Sequence, residues 1–258
     1  RRSSDLVKKL SSLVMALVML VGVFASTSSV FAEDGNLEYL VDSKLTAKIS
    51  GLNSKVSGTV DISKTVSNKP LELQEGTTNK YRGEVSGSVE AGDLFEGAYT
   101  LYKDKLYDKK SFSGYWRNIV MFGSTKDSFP TCSYTVRFPE NITVDRDKVT
   151  ATKNTSTISK IETDIKDHSV TFTFYLGNWN DYEGFFKLVE SERNKTGKTI
   201  DISIPYTVDA DESSPSMLGS IKGSGECNLY KFGFLSIKTP IVSITSPEIS
   251  LDVLNPRG

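Results

Sequence analysis

The sequence predicts an all-β protein, built as an antiparallel β-sandwich with one short crossover helix. Three observations point to that class. Apolar and polar residues alternate with a period of two in many short segments, these segments are rich in β-branched and aromatic residues, and short polar turns separate them. A strand with one apolar and one polar face buries the apolar face against a second sheet, which is the arrangement of a sandwich.

The alternation identifies the strands in chain order. The first two, residues 45–49 and 56–62, flank a turn-forming segment at residues 50–54 and predict a hairpin. The clearest strand is 198–208, where Ile200, Ile202 and Ile204 alternate with polar or turn residues. The remaining segments with this pattern are residues 81–89, 132–138, 170–176 and 249–253.

Helical spacing occurs in one segment, whose apolar residues recur at i, i+3, i+4 and i+7: Tyr182, Phe185, Phe186 and Val189. We expect Asn180 or Asp181 to cap this helix and Gly197 to follow its end. The aromatic residues of the stretch 94–122 follow neither period, so we expect strands joined by long loops there.

The first 32 residues form a different kind of segment. A basic start with four Lys and Arg precedes an apolar run of 13 residues, and Val30 and Ala32 stand just before the acidic Glu33. This is the pattern of a secretory signal peptide, residues 1–32, cut between Ala32 and Glu33. The apolar run is shorter than the roughly 20 residues that span a bilayer. The pattern therefore predicts a secreted or surface-displayed mature chain.

The net charge of the mature chain limits the classes of partner that we expect it to bind. Removing four basic and one acidic residue from the totals of 31 and 32 leaves 27 and 31, a net charge of −4. Nucleic acids and anionic membranes need a concentrated basic face, so we expect neither as a partner and no membrane insertion. With a single His in the chain, imidazole-based catalysis and zinc sites are also unexpected, and we predict no cofactor.

The number of domains stays open. Polar and turn residues cluster at 123–129, ahead of Pro130 and between two strand-rich halves. One interpretation is a β-rich domain over 36–128 and a β-sandwich domain over 129–255. The other is a single sandwich with a long loop.

Cys132 and Cys227 are the only thiols, and both lie in strand-like segments. An even pair in an exported protein predicts a disulfide, whereas two buried free thiols are the alternative.

Acidic and aromatic residues give weaker candidate sites. Asp209 and Asp211 carry oxygen ligands suited to calcium but match no EF-hand loop, so solvated turn acids are the default. Tyr115 and Trp116 stand between Gly114 and Arg117, which indicates a surface loop whose rings can contact a ligand; the alternative is that these rings belong to the sandwich core. Trp179, just ahead of the helix, is the better core candidate.

Several motifs resemble the sandwich domains of Gram-positive surface adhesins and pilins. They are Phe138-Pro139-Glu140-Asn141-Ile142-Thr143-Val144, Gly197-Lys198-Thr199-Ile200 with the ending Tyr206-Thr207-Val208, and Ala91-Gly92-Asp93-Leu94-Phe95, which is similar to the start of a strand. The resemblance covers about residues 89–208. It implies an immunoglobulin-like or adhesin-like sandwich, display at the bacterial cell wall, and adhesion or structural support of the envelope.

Some relatives in this class carry a Lys–Asn isopeptide bond, which needs a lysine neutralised by burial. The resemblance makes Lys64 and Asn255 candidates, with a solvent-facing lysine and a turn asparagine as the alternative.

Three functions follow from these observations. The first is an adhesin-type, non-enzymatic module that binds a host or envelope protein or glycan. The second is a structural pilin-like or envelope assembly subunit, which an exposed edge strand would favour. The third is a secreted glycan-active enzyme, which two facing carboxylates in a cleft would favour.

Overall fold

The computed structural model describes residues 39–111, 114–178 and 181–258. The predicted signal peptide, its cleavage site at Ala32 and Glu33, and Trp179 lie outside the described residues. Two large sheets and two α-helices make up the described part of the chain.

The first sheet has seven strands and is antiparallel except for one parallel pair, β2 with β15. In spatial order, its strands are β1 (Asp42–Lys48), β2 (Lys55–Asp61), β15 (Lys238–Leu254), β14 (Met217–Phe232), β8 (Thr131–Arg137), β12 (Ser169–Leu176) and β11 (Ile158–Lys166).

The second sheet has six strands, all in antiparallel pairs. Its main path is β10 (Thr150–Lys153), β13 (Thr199–Asp209), β5 (Lys80–Glu90) and β3 (Val66–Asn68); in addition, β9 (Ile142–Val144) pairs with β13, and β4 (Glu72–Leu73) pairs with β5. A separate small hairpin joins β6 (Lys110–Ser111) to β7 (Gly114–Tyr115). The antiparallel sandwich predicted from the alternation is confirmed.

Strand β13 shows how directly the alternation becomes structure. Ile200, Ile202, Ile204, Tyr206 and Val208 are buried, and the residues between them retain exposed surface. A period of two places successive side chains on opposite faces of a sheet, so one face of this strand joins the core.

Two helices occur in the described residues, whereas the sequence predicted one. Helix α2 (Tyr182–Glu192) confirms the predicted helix, with Asp181 at its N-cap position. Helix α1 (Ala91–Leu101) continues into one π-helical turn at Tyr102–Leu106, so the expectation of strands over 94–122 was wrong for that part. Neither helix has the length and apolar character that crossing a membrane requires.

The sequence carried a signal for α1 that the strand interpretation missed. Leu94, Phe95, Ala98, Tyr99 and Tyr102 lie at i, i+1, i+4, i+5 and i+8, which is an apolar stripe two residues wide on a helix. The motif at 91–95 therefore begins a helix and not a strand, because β5 ends at Glu90 and α1 starts at the next residue.

The boundary predicted at 128/129 does not separate two sandwiches. Both sheets combine strands from before and after it, since β2 pairs with β15 and β5 pairs with β13 over eleven residues. Residues Tyr39–Gly258 form one compact unit. The polar cluster at 123–129 is a loop, and the structure agrees with the alternative of a single sandwich.

The buried residues form two cores, which we call the sandwich core and the helix core. The sandwich core lies between the two sheets and includes Val136, Phe172, Ile204, Tyr206 and Ile221. The helix core lies between the two helices and the other end of the seven-stranded sheet and includes Tyr102, Trp116, Phe186, Leu229 and Ile241.

Candidate ligand-binding surface

The two most exposed large apolar side chains of the described residues lie at the end of the β14–β15 hairpin, in residues 233–237, which we call the hairpin tip. Phe234 is 85% exposed, Leu235 81% and Ile237 62%. Side chains of this kind are normally buried in a soluble protein, so a cluster of three in solvent is unusual.

The backbone of the hairpin tip holds these side chains in a fixed and strained conformation. Leu235 has φ 61° and ψ 25°, and Ser236 has φ 59°. The left-handed region costs a residue with a side chain about 1–2 kcal/mol. Two backbone hydrogen bonds hold the turn, from Gly233 N to Ile237 O at 3.0 Å and from Ser236 N to Gly233 O at 3.1 Å. Strain of this type is characteristic of recognition sites.

The base of the hairpin tip is firmly packed. Phe122 and Tyr230 exchange backbone hydrogen bonds of 2.8 and 2.9 Å, and the Phe122 and Phe232 rings meet edge to face at 5.4 Å. The Lys238 ammonium lies 4.0 Å from the centre of the Tyr230 ring. Burial lowers the pKa of Lys231, the neighbouring lysine on β14. The base of the hairpin tip is therefore joined to the sheet by backbone hydrogen bonds and ring contacts.

The aromatic site predicted at Tyr115 and Trp116 is not a surface site. Trp116 is fully buried in the helix core, where its ring lies 5.7 Å from that of Tyr182, so the prediction of a surface loop was wrong. Tyr115 is half-buried, and Lys110 and Arg117 lie 5.7 and 5.2 Å from its ring centre. The glycine before Tyr115 indicated a loop, but a 3-10 turn directs the indole under α2.

Cys132 and Cys227 are free thiols that lie directly opposite each other on the neighbouring strands β8 and β14. The pKa of Cys227 is raised well above its ordinary value, first by its hydrogen bond with Cys132 and then by burial. Sequence reasoning named both residues but not their register. The disulfide between them stays a prediction.

The structure does not bring together an isopeptide pair at Lys64 and Asn255. Lys64 is exposed, whereas the reaction needs a buried, neutral lysine. Asn255 is buried, and its amide nitrogen donates to the backbone oxygens of Asp211 and Ser214 at 3.0 and 3.2 Å. This asparagine fastens the β13–β14 loop to the end of β15.

The calcium candidates Asp209 and Asp211 are not part of a metal-ligand cluster. Oδ1 of Asp211 accepts hydrogen bonds from the backbone N and Oγ of Ser213 at 2.9 and 2.7 Å. These bonds lower the pKa of Asp211 and close a turn. Within the described ranges, no three His, Cys, Asp or Glu side chains group in a way that can hold a metal ion.

Two acids share a small cavity of about 100 Å³ between α1 and α2, but each has a cationic partner. Glu183 pairs with Lys187 at 3.2 Å, and Glu190 lies 4.0 Å from Lys103. Glu190 also accepts a hydrogen bond of 2.8 Å from the Tyr99 hydroxyl. The arrangement is an ion-pair network that joins the two helices, in contrast to the two facing carboxylates of a glycosidase.

Both edge strands of the seven-stranded sheet carry charges. Strand β11 exposes Lys160, Glu162, Asp164 and Lys166 along its length, and β1 carries Asp42 and Lys44, which pair at 3.1 Å. Charged side chains on an edge oppose the addition of another strand.

No protein-family model matches the chain, and no curated protein matches it by sequence. Solved structures give weak structural matches. The collagen-binding subdomain of the Enterococcus faecalis surface protein ACE is 10% identical, with a TM-score of 0.29, and the match covers 74% of this chain and 97% of that one.

Two further matches are similarly weak. The collagen adhesin CNA of S. aureus is 7% identical with a TM-score of 0.30, over 74% of this chain and 49% of that one. The major pilin subunit BcpA of Bacillus cereus is 11% identical with a TM-score of 0.30, over 82% and 48%. These proteins belong to the class that the sequence motifs resemble, the Gram-positive surface adhesins and pilins.

Proposed function

We propose that this chain is a non-enzymatic, adhesin-type binding module of a secreted or surface-displayed bacterial protein. The observation that supports it most strongly is the hairpin tip, where Phe234, Leu235 and Ile237 are exposed on a strained backbone. The predicted signal peptide supports delivery of this surface to the outside of the cell.

The chemistry of the hairpin tip favours a protein partner with an apolar groove. Burying a Phe, Leu or Ile side chain contributes about 1.5–3 kcal/mol, and a turn closed by backbone hydrogen bonds loses less conformational entropy on binding than an open loop. The tip and its flanks, residues 230–240, contain two lysines and no acid. The net charge of −4 on residues 33–258 disfavours an anionic membrane as the partner.

The other functions have less support. Assembly through strand pairing is disfavoured because β11 and β1 carry charges along the two edges of the large sheet. Glycan hydrolysis is disfavoured because the two acids that share a cavity, Glu183 and Glu190, are each paired with a lysine.

The test is binding of the exported protein to immobilised type I collagen, fibronectin and isolated bacterial cell walls. We expect saturable binding to at least one of these surfaces. The double variant Phe234→Ser and Leu235→Ser should weaken it by about tenfold or more, because two central apolar contacts are lost.

The matched control is Met217→Ser, which changes an exposed apolar residue at the other end of the same hairpin. This variant should bind like the unchanged protein. Equal binding by the tip variant, no binding to any of the three surfaces, or binding only to anionic lipid vesicles would contradict the proposal.

A further inference from the structure

A cavity of about 200 Å³ lies where the sandwich core meets the helix core. Its walls come from both sheets and both helices, with Val56 on β2, Ile202 on β13 and Ala98 on α1 among the lining residues. The lining residues Val60, Val66 and Leu94, on β2, β3 and α1, retain exposed surface.

The walls of this cavity are apolar. Glu226 is the one charged residue among those that line it, and its side chain is exposed and accepts a hydrogen bond of 3.1 Å from Asn228. Cys227, the next residue on β14, faces inward, so the Glu226 side chain stands on the opposite face of the sheet. A charged ligand would lose its hydration in this cavity without gaining an oppositely charged partner.

The walls are also rich in rings and sulfur. Six aromatic residues line the cavity: Phe95, Tyr134, Phe174, Tyr182, Phe185 and Phe186. Three sulfur-containing residues also line it: Met121, Cys132 and Cys227. Sulfur makes favourable contacts with the edges of aromatic rings, and rings pack edge to face on one another.

The volume is sufficient for a ligand. An apolar cavity of about 150 Å³ stays dry and binds benzene, so about 200 Å³ accommodates one substituted aromatic ring. An empty space of this size leaves its wall atoms without contacts, and a ligand that restores those contacts stabilises the folded protein.

We propose that this cavity is a binding site for a small neutral aromatic molecule. The site is separate from the hairpin tip, so this proposal and the proposed adhesive function are tested independently. Its walls supply shape, ring edges and sulfur atoms, and no ion pair is formed on binding.

The cavity thiols provide a direct readout. With the exported protein reduced so that Cys132 and Cys227 are free, toluene serves as the neutral aromatic probe and decanoate as the alkyl probe. Toluene should raise the Tm in a concentration-dependent manner. At about ten times its Kd, it should slow labelling of the two thiols by N-ethylmaleimide about tenfold. Decanoate should do neither.

A filling variant tests the location. Ala98→Leu adds a side chain into the cavity from α1, and should abolish both effects of toluene. Thr100→Leu is the matched control, because Thr100 lies on the same helix and is exposed. If Ala98→Leu folds poorly, the labelling of the unchanged protein with and without toluene still decides whether the cavity is occupied.

Three results would overturn the proposal. The first is that toluene changes neither the Tm nor the labelling rate. The second is that the Ala98→Leu variant responds to toluene like the Thr100→Leu control. The third is protection by decanoate equal to that by toluene, which would assign the cavity to alkyl chains. Binding of a host protein at the hairpin tip is unaffected by any of these outcomes.

Discussion

The sandwich core and the helix core share one seven-stranded sheet but are packed by different rules. The sandwich core is filled mainly by aliphatic side chains from alternating strand positions, such as Val136, Ile204 and Ile221. The helix core also contains a cluster of rings from α2 and from α1 with its π-helical turn, in which Tyr102 and Phe186 stack at 4.5 Å and Tyr102 and Tyr182 meet edge to face at 5.3 Å.

The difference explains where the cavity lies. Two sheets of regular spacing interdigitate along their length, whereas helices set the distance between layers by the size of their side chains. At the border between the two arrangements, neither set of side chains fills the space, and about 200 Å³ stays open.

The largest expected effects come from removing one aromatic ring from each core. Phe172→Ala removes a ring that is fully buried in the sandwich core and should lower the free energy of unfolding by about 3–5 kcal/mol. Phe186→Ala should cost less, because Phe186 lines both cavities and its side chain has open space on those sides. Urea denaturation measures both, with the exposed Leu254→Ala as control. A larger loss for Phe186→Ala than for Phe172→Ala would contradict the contrast.

The second test uses Cys132 and Cys227, which line the cavity between the sandwich core and the helix core. Because Cys132 and Cys227 are register partners on adjacent strands, we expect the exported protein to lose two hydrogens in intact mass as a disulfide forms. The bond should add about 2–4 kcal/mol to the free energy of unfolding relative to the reduced protein. The variant Cys132→Ser is the control and should show neither change. An unchanged mass after export would favour the free thiols.

The third test concerns the hydrogen bonds between Glu192 of α2 and the segment that precedes β11. Glu192, at the end of α2, accepts hydrogen bonds from Thr155 Oγ1 at 2.5 Å and from Ser156 Oγ at 2.8 Å. Losing these charge-assisted bonds in Glu192→Gln should cost about 1–3 kcal/mol. A control change at the exposed Glu212→Gln should leave stability unchanged.

The pKa of Glu192 predicts how the free energy of unfolding depends on pH. Burial alone would raise the pKa of Glu192, but the hydrogen bonds from Thr155 and Ser156 outweigh it and hold the pKa below its ordinary value of 4.5. The stabilisation is therefore complete above pH 4.5 and is lost as the pH falls through the folded-state pKa. Acid titration of unfolding should show a shallower loss for Glu192→Gln than for the unchanged protein.

The smallest expected change in the free energy of unfolding is an increase, and it comes from a residue outside both cores. Leu235→Gly removes the side chain from a left-handed residue and should raise the free energy of unfolding by about 0.5–1 kcal/mol. The same change should weaken binding to the partner found for the hairpin tip. Thermal unfolding and the binding assay check the two parts, and a loss of stability would show that the tip is unstrained.

The sequence predicted strands well and aromatic segments poorly. The segments 170–176 and 198–208 correspond to β12 and β13 within a residue or two at each end. Helix α1 was missed because Tyr99 and Tyr102 occur in both strands and helices, and the helical spacing starts directly after β5. The hairpin tip was missed because nothing in Phe234-Leu235 distinguishes exposed from buried residues without the fold.

The sequence by itself determined which face of each regular strand is buried, because a period of two is a local property of the chain. It also determined α2, through the spacing of Tyr182, Phe185 and Val189. Only the tertiary structure decided the burial of Trp116, the register of Cys132 with Cys227 and the parallel pair β2–β15. These features depend on residues far apart in the chain, whose packing free energy arises only when both sheets and both helices have assembled.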